Sequence, residues 1–132
     1  MTPELTWLLA TAVLAASLWI PYIVGVNTSP VASHDFSRPQ SPSDHAAWVH
    51  RAYRAHQNLL EQMMPFAVIV LIGHMVGVST PVTVGAAAAF FWIRVAHAVG
   101  MISGLAGFPL RPVIFTAGWL CILVFAGAIL LG

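Results

Sequence analysis

The sequence predicts an all-α membrane protein, a four-transmembrane-helix up-down bundle, and three observations carry that prediction. Of 132 residues, 59% are hydrophobic and 7% charged, whereas an average soluble domain carries roughly 25% charged residues. Mean hydropathy is +0.87. Four apolar runs, each near the ~20 residues that cross a bilayer, are separated by breaks rich in proline, glycine and serine. Four spans in a chain of this length leave no room for a separate soluble module, so residues 1–132 are expected to form one integral membrane domain. A net charge of +1 without a single lysine offers no basic surface for nucleic acid.

The first span is expected over about residues 5–26, from Leu5 to Val26. Its leader Met-Thr-Pro-Glu has no basic residue, and the run is longer than a signal-peptide core, so it reads as a span that stays. Pro21 should bend its second half, with Trp19 and Tyr22 suited to the water–lipid interface. Residues 27–44, with Pro30, Pro39 and Pro42, read as a polar loop. Ser43 or Asp44 is expected to cap the following helix. That helix should run from about His45 to Val78, longer than the ~30 Å hydrocarbon core, so only residues 56–78 count as span and Pro65 is a candidate kink.

Ser79-Thr80-Pro81 is a tight break before a third span over residues 82–105, interrupted by Arg94 and His97. Turn signals follow up to Pro112, and residues 113–131 form an almost featureless fourth span. Short connections make the helices antiparallel neighbours. Gly73-x-x-x-Gly77 and Gly100-x-x-x-Gly104 would allow close helix approach, within the bundle or between subunits. Arg38, Arg51, Arg54 and Arg111 all fall on the side of the first and third loops, which the positive-inside rule places in the cytoplasm with both termini outside. Cys121 lies in an apolar run as core filler, and the six histidines lack metal-ligand spacing, so no metal site is expected.

Chemistry concentrates in Arg51-Ala-Tyr-Arg-Ala-His-Gln-Asn-Leu-Leu-Glu61, which leads into Pro65 and Phe66. At 100° per residue, Arg51, Arg54, Asn58 and Glu61 fall within an arc of about 80°, one polar stripe able to grip a small zwitterion. Arg94 lies deep in the third span, where an unpaired charge costs at least ~2.5 kcal/mol. Glu61 is the only acid near that depth. An Arg94–Glu61 pair is therefore expected, either as a structural lock between two helices or as the floor of a ligand site. His97 reads as a core residue or as a donor or base in that site. Tyr53, His50 and His56 read as interfacial, and Arg38 as a topology determinant that would reach a ligand only if the loop folded over it.

Four spans in about this length, the Arg-Ala-x-x-Asn-x-x-Glu core at Arg54, Ala55, Asn58 and Glu61, and the later Phe-Trp-Ile-Arg-Val-Ala-His with Leu-Arg, resemble the MAPEG family. These are the membrane-associated proteins in eicosanoid and glutathione metabolism, and the resemblance, to a bacterial-type member, covers nearly the whole chain. It implies a homotrimer in a bacterial inner membrane, with glutathione held between subunits near the cytoplasmic face. Arg54, Asn58 and Glu61 match the family's glutathione-binding positions in the second helix, and Arg94 its third-helix arginine. Arg51 and His97 join them as candidate binding residues. Arg111 matches the arginine that stabilises the glutathione thiolate, the catalytic candidate. Arginine forks suit the two carboxylates of glutathione and Glu61 its ammonium.

Two positions depart from the family pattern. Met101 stands where glutathione-using members commonly have a tyrosine one turn after the Arg/His pair, and Gln62 where some have a tyrosine after the glutamate. Three functions compete. The first is a glutathione-dependent transferase or peroxidase acting on hydrophobic electrophiles or lipid hydroperoxides. The second is a non-catalytic member of the same fold that binds a lipid or other hydrophobic small molecule. The third is a small transporter, for which a buried acid in the first span would be expected; Leu5–Val26 has none.

Overall fold

The computed structural model describes residues 1–28, 41 and 44–132. Arg38, Ser43 and most of the expected 27–44 loop lie outside the described residues. The described chain is helical, with no strand: α1 (Pro3–Ser17), α2 (Trp19–Thr28), α3 (Ala47–Met75), α4 (Pro81–Ser103) and α5 (Leu110–Leu131). Taken together, α1 and α2 form one of four segments long and apolar enough to cross a membrane, and α3, α4 and α5 are the others.

The first span is broken at Leu18, three residues before Pro21. Pro21 cannot donate to the Ser17 carbonyl, and its ring crowds that carbonyl, which is why the helix gives way there rather than at the proline itself. The second piece runs past the expected end. Asn27 Nδ2 donates to the Ile23 carbonyl at 2.9 Å and Thr28 Oγ1 to the Val24 carbonyl at 2.7 Å, so these polar residues bond back into the helix. The expected Asp44 cap is not found. Ala46 occupies the N-cap of α3 without a side-chain bond, and the Asp44 carboxylate instead accepts from Ser41 N at 3.1 Å.

Helix α3 has 29 residues, about 43 Å at 1.5 Å per residue, so one end must leave a ~30 Å core. It continues through Pro65. α4 begins with Pro81 behind a Thr80–Thr83 capping box and ends at Gly104, whose φ of 83° is a left-handed conformation open to glycine. Arg51 Nη2 donates to the Ile102 carbonyl at 3.4 Å, which places a cation at the carboxyl end of α4 where the helix dipole favours it. α5 begins at Leu110, three residues before its expected start. Pro112 does not delay it, because first-turn N–H groups have no helical acceptor to lose.

Opposite ends of the bundle are tied differently. At the end carrying the amino terminus, buried Glu4 accepts from Ser79 Oγ at 2.9 Å and Thr83 Oγ1 at 2.6 Å, joining the first turns of α1 and α4. Two helix amino ends surround that carboxylate and help offset its charge. Gly73 lets α3 approach α5 closely: a Cβ there would meet Ile129 Cδ1 and Phe125 Cε1, each at 3.1 Å. Its expected companion Gly77 makes no such approach and has a φ of 74° past the end of α3.

Two apolar clusters fill the interior. One contains Phe66, Val70, Ala86, Ala87, Phe90, Ile122 and Phe125, with Phe66 and Phe90 stacked at 4.0 Å. The other contains Ala15, Leu18, Ala55, Leu59, Ala98 and Met101. Between them in sequence, on α3 and α4, lie the buried polar residues Gln62, Arg94 and His97.

This polar layer is held by a side chain with two different obligations. Gln62 Oε1 accepts from Arg94 Nη1 at 3.0 Å, while Gln62 Nε2 donates to the Phe115 carbonyl of α5 at 3.0 Å. α5 comes close enough because its next turn carries Gly118, where a Cβ would lie 2.6 Å from Gln62 Oε1. The amide oxygen is pinned and cannot swing aside. Gly118→Ala should therefore lower stability by about 1–3 kcal/mol, the usual scale of overpacking. Gly85→Ala, in the same bundle with open space around it, should lose nothing and gain helix propensity. Thermal unfolding of the two variants in detergent checks the contrast.

Candidate functional site

At the end where α4 turns into α5, a cavity of about 510 Å³ is lined by Asn58 of α3, His97 of α4, Arg111, Phe115 and Thr116 of α5, and Ala106–Phe108 of the connection. Three expected site residues, Asn58, His97 and Arg111, thus come together although they are spread over three helices. Arg111 sits in the first turn of α5, so its guanidinium adds to the positive end of that helix. The arrangement favours an anion or a polarisable sulfur. Asn58 spends its Nδ2 on the Arg54 carbonyl at 2.7 Å, which leaves the amide oxygen as the acceptor it can offer.

His97 is 1% exposed and forms part of the cavity wall. Its Nδ1 faces Arg94 Nη2 at 3.5 Å, and its Nε2 has no hydrogen-bond partner among the described residues. Arg94 is equally buried and does not line the cavity; it lies behind His97, bonded to Gln62 and His97, with Nε left without a partner among the described residues.

The expected Arg94–Glu61 pair is not formed. Glu61 lies on an exposed face of α3, and the partner of Arg94 is the next residue, Gln62. One residue of helix is a rotation of ~100°, and only Gln62 shares the buried stripe with Leu59 and Phe66. Arg54 is likewise exposed, and neither it nor Glu61 lines the cavity within one chain. Arg51 is half-buried and its guanidinium is used at the end of α4. The polar stripe of α3 is therefore split: Arg51 caps a neighbouring helix, Asn58 reaches the cavity, and Arg54 and Glu61 face outward.

Gln62 is the residue that the sequence reading missed as a participant. Its signal was available in the spacing: the buried positions of α3 are Val49, Ala52, Ala55, Leu59, Gln62, Phe66, Val70 and Gly73, an apolar stripe with one amide in it. Met101, the other departure, is buried in the apolar cluster with Ala15 and Leu18 and does not line the cavity. Further along the bundle, an apolar recess of about 350 Å³ between α1 and α4 is lined by Leu14, Leu18, Val95, Ala98, Val99, Ile102 and Ser103.

No curated protein matches the chain. The family model described as "MAPEG family" matches residues 5–131, nearly the whole length, in keeping with four apolar helices and no strand among the described residues. The chain belongs to the MAPEG family of integral membrane proteins, whose members include glutathione transferases and peroxidases as well as non-catalytic binding proteins.

Proposed function

We propose that the protein is a glutathione-dependent transferase or peroxidase acting on hydrophobic electrophiles or lipid hydroperoxides at the membrane. The observation that carries this is the convergence of Asn58, His97 and Arg111 on one cavity at the arginine-rich end of the bundle. Arg111 is the catalytic residue in this proposal. A free thiol has a pKa near ~8.5, so only a few per cent is thiolate at neutral pH, and an adjacent guanidinium raises that fraction. The thiolate then attacks an electrophilic carbon, forming a carbon–sulfur bond as the leaving group departs with its electron pair or a conjugated double bond takes up the electrons and a proton. Alternatively it attacks a hydroperoxide oxygen, breaking the oxygen–oxygen bond to release an alcohol once protonated and leaving glutathione sulfenic acid. A second glutathione converts the sulfenic acid to the disulfide and water.

Arg54 and Glu61 enter through assembly. Both are exposed on α3, and Glu61, inside the expected 56–78 span, would be a costly charge if left against lipid. A homotrimer in which a neighbouring subunit packs on this face would enclose them beside the cavity, with Arg54 on a glutathione carboxylate and Glu61 on its ammonium. Arg94 and Arg51 act from behind the site, through His97 and the end of α4. By the positive-inside rule the arginine-bearing end faces the cytoplasm, which supplies glutathione.

A non-catalytic lipid-binding function is the second reading, favoured by the apolar recess between α1 and α4. The same recess serves the enzyme by holding the apolar body of the acceptor. Thiolate formation separates the two.

Adding glutathione to the detergent-purified protein should produce the ultraviolet absorbance of a thiolate. Arg111→Ala should lose that band while glutathione still binds measurably by calorimetry, since the contacts to its carboxylates and ammonium remain. Absence of both band and binding leaves the lipid-binding reading. Arg54→Ala and Glu61→Gln should each weaken glutathione binding by about 10–100-fold, the range for losing a hydrogen bond to a charged group. Unchanged titration curves for both variants would remove the α3 face from the site.

A further inference from the structure

We propose that Gln62 is a positioning residue: through Arg94 it holds His97 as the neutral imidazole protonated on Nε2, so that the cavity meets a hydrogen-bond donor there and not a base. The direction of every bond in the layer follows from chemistry. A guanidinium only donates, so Gln62 must turn its oxygen to Arg94. A backbone carbonyl only accepts, so Gln62 must turn its nitrogen to Phe115. Both partners select the same amide orientation, and glutamine is the side chain of this length that can meet both. Glutamate could not donate to Phe115, and an apolar residue could meet neither.

Arg94, fixed by Gln62 at Nη1, presents Nη2 to His97 Nδ1. A nitrogen that faces a guanidinium donor must be the unprotonated one, so the proton of the neutral ring lies on Nε2. Nε2 has no partner among the described residues, and the ring is part of the cavity wall. The lone pair that a general base would use is directed at Arg94, away from the ligand. His97 and Arg111, both in the cavity lining, are therefore two donor side chains from two helices.

The identity of the acceptor rests on the glutathione reading: the thiolate sulfur, held between the Arg111 guanidinium and the His97 Nε2–H. In that case the thiol proton leaves to water, His97 keeps its own proton, and the sulfur retains the electron pair with which it attacks. The imidazole N–H then supplies a polar contact in a cavity that Met101 does not line.

Two-bond proton–nitrogen correlation spectra of ¹⁵N-histidine-labelled protein in detergent, without ligand, test the tautomer directly, with His97→Gln identifying the resonance. Wild type should show Nδ1 unprotonated and Nε2 protonated, and Gln62→Met should replace this single pattern by exchange between tautomers. A wild-type ring protonated on Nδ1 overturns the proposal whether or not any variant folds. A Gln62→Met spectrum identical to wild type overturns the role of Gln62. Glutathione should then shift the Nε2–H resonance, and His97→Leu should cut the thiolate absorbance several-fold. A thiolate band with an unmoved Nε2–H resonance overturns the donor role. No band and no glutathione binding, with the expected tautomer in place, overturns the glutathione reading alone.

Discussion

The fold is arranged around one buried cation. Arg94, 1% exposed, lies between two apolar clusters, and a charge at that depth costs several kcal/mol unless it is solvated by the protein itself. Here the solvation comes from a neutral amide and an imidazole, with no carboxylate in contact among the described residues. That choice keeps a net positive charge inside the bundle. A bound acid would have cancelled it; an amide leaves it to act on whatever occupies the adjoining cavity. The same amide reaches the backbone of α5, so the layer that accommodates the charge also sets the distances among α3, α4 and α5.

Those distances explain the positions of Asn58, His97 and Arg111. None is near another in sequence, and the connection between α4 and α5 leaves their helices free to meet at several heights. Gly118 permits close approach at the polar layer, and Gly104 reverses the chain one turn beyond Met101. With both ends of that segment fixed, Arg111 falls in the first turn of α5, opposite His97 across the cavity. Arg51 reinforces the geometry by holding the carboxyl end of α4. Within one chain Arg51 holds a helix end and Arg94 lies behind His97, and the cation that lines the cavity, Arg111, is the one placed by a helix start.

Composition and periodicity made the four spans legible because a bilayer imposes length and apolarity on each segment independently of its neighbours. Ends were harder to read. Pro112 looked like a boundary but lies inside the first turn of α5, and Asp44 looked like a cap but turned to Ser41. At the site, depth in the span correctly marked Arg94 as needing a partner, yet depth alone could not choose between Glu61 and Gln62. Rotation about the helix decided it, and rotation is visible in the stripe that runs through Ala55, Leu59, Phe66 and Val70. Attraction between opposite charges was the wrong guide because the carboxylate would have had to leave the exposed face to be buried.

The exposed acid on α3 extends the argument beyond one chain. Glu61 lies at the middle of a helix whose later half is strongly apolar, and Arg54 is two turns before it on the same outward side. Two charges of opposite sign at that spacing are too far apart to pair directly, since seven residues of helix span about 10 Å. Facing lipid they would both need water drawn into the interface; facing a second copy of the chain they would need polar groups or a zwitterionic ligand of matching length. Glutathione carries its ammonium and one carboxylate on the same carbon and its second carboxylate at the far end of the tripeptide, a separation on that scale, and in the proposed trimer it would neutralise both while its sulfur reaches Arg111 and His97. On that proposal the outward charges and the inward cavity are two halves of one requirement, met when the chain is assembled around its ligand.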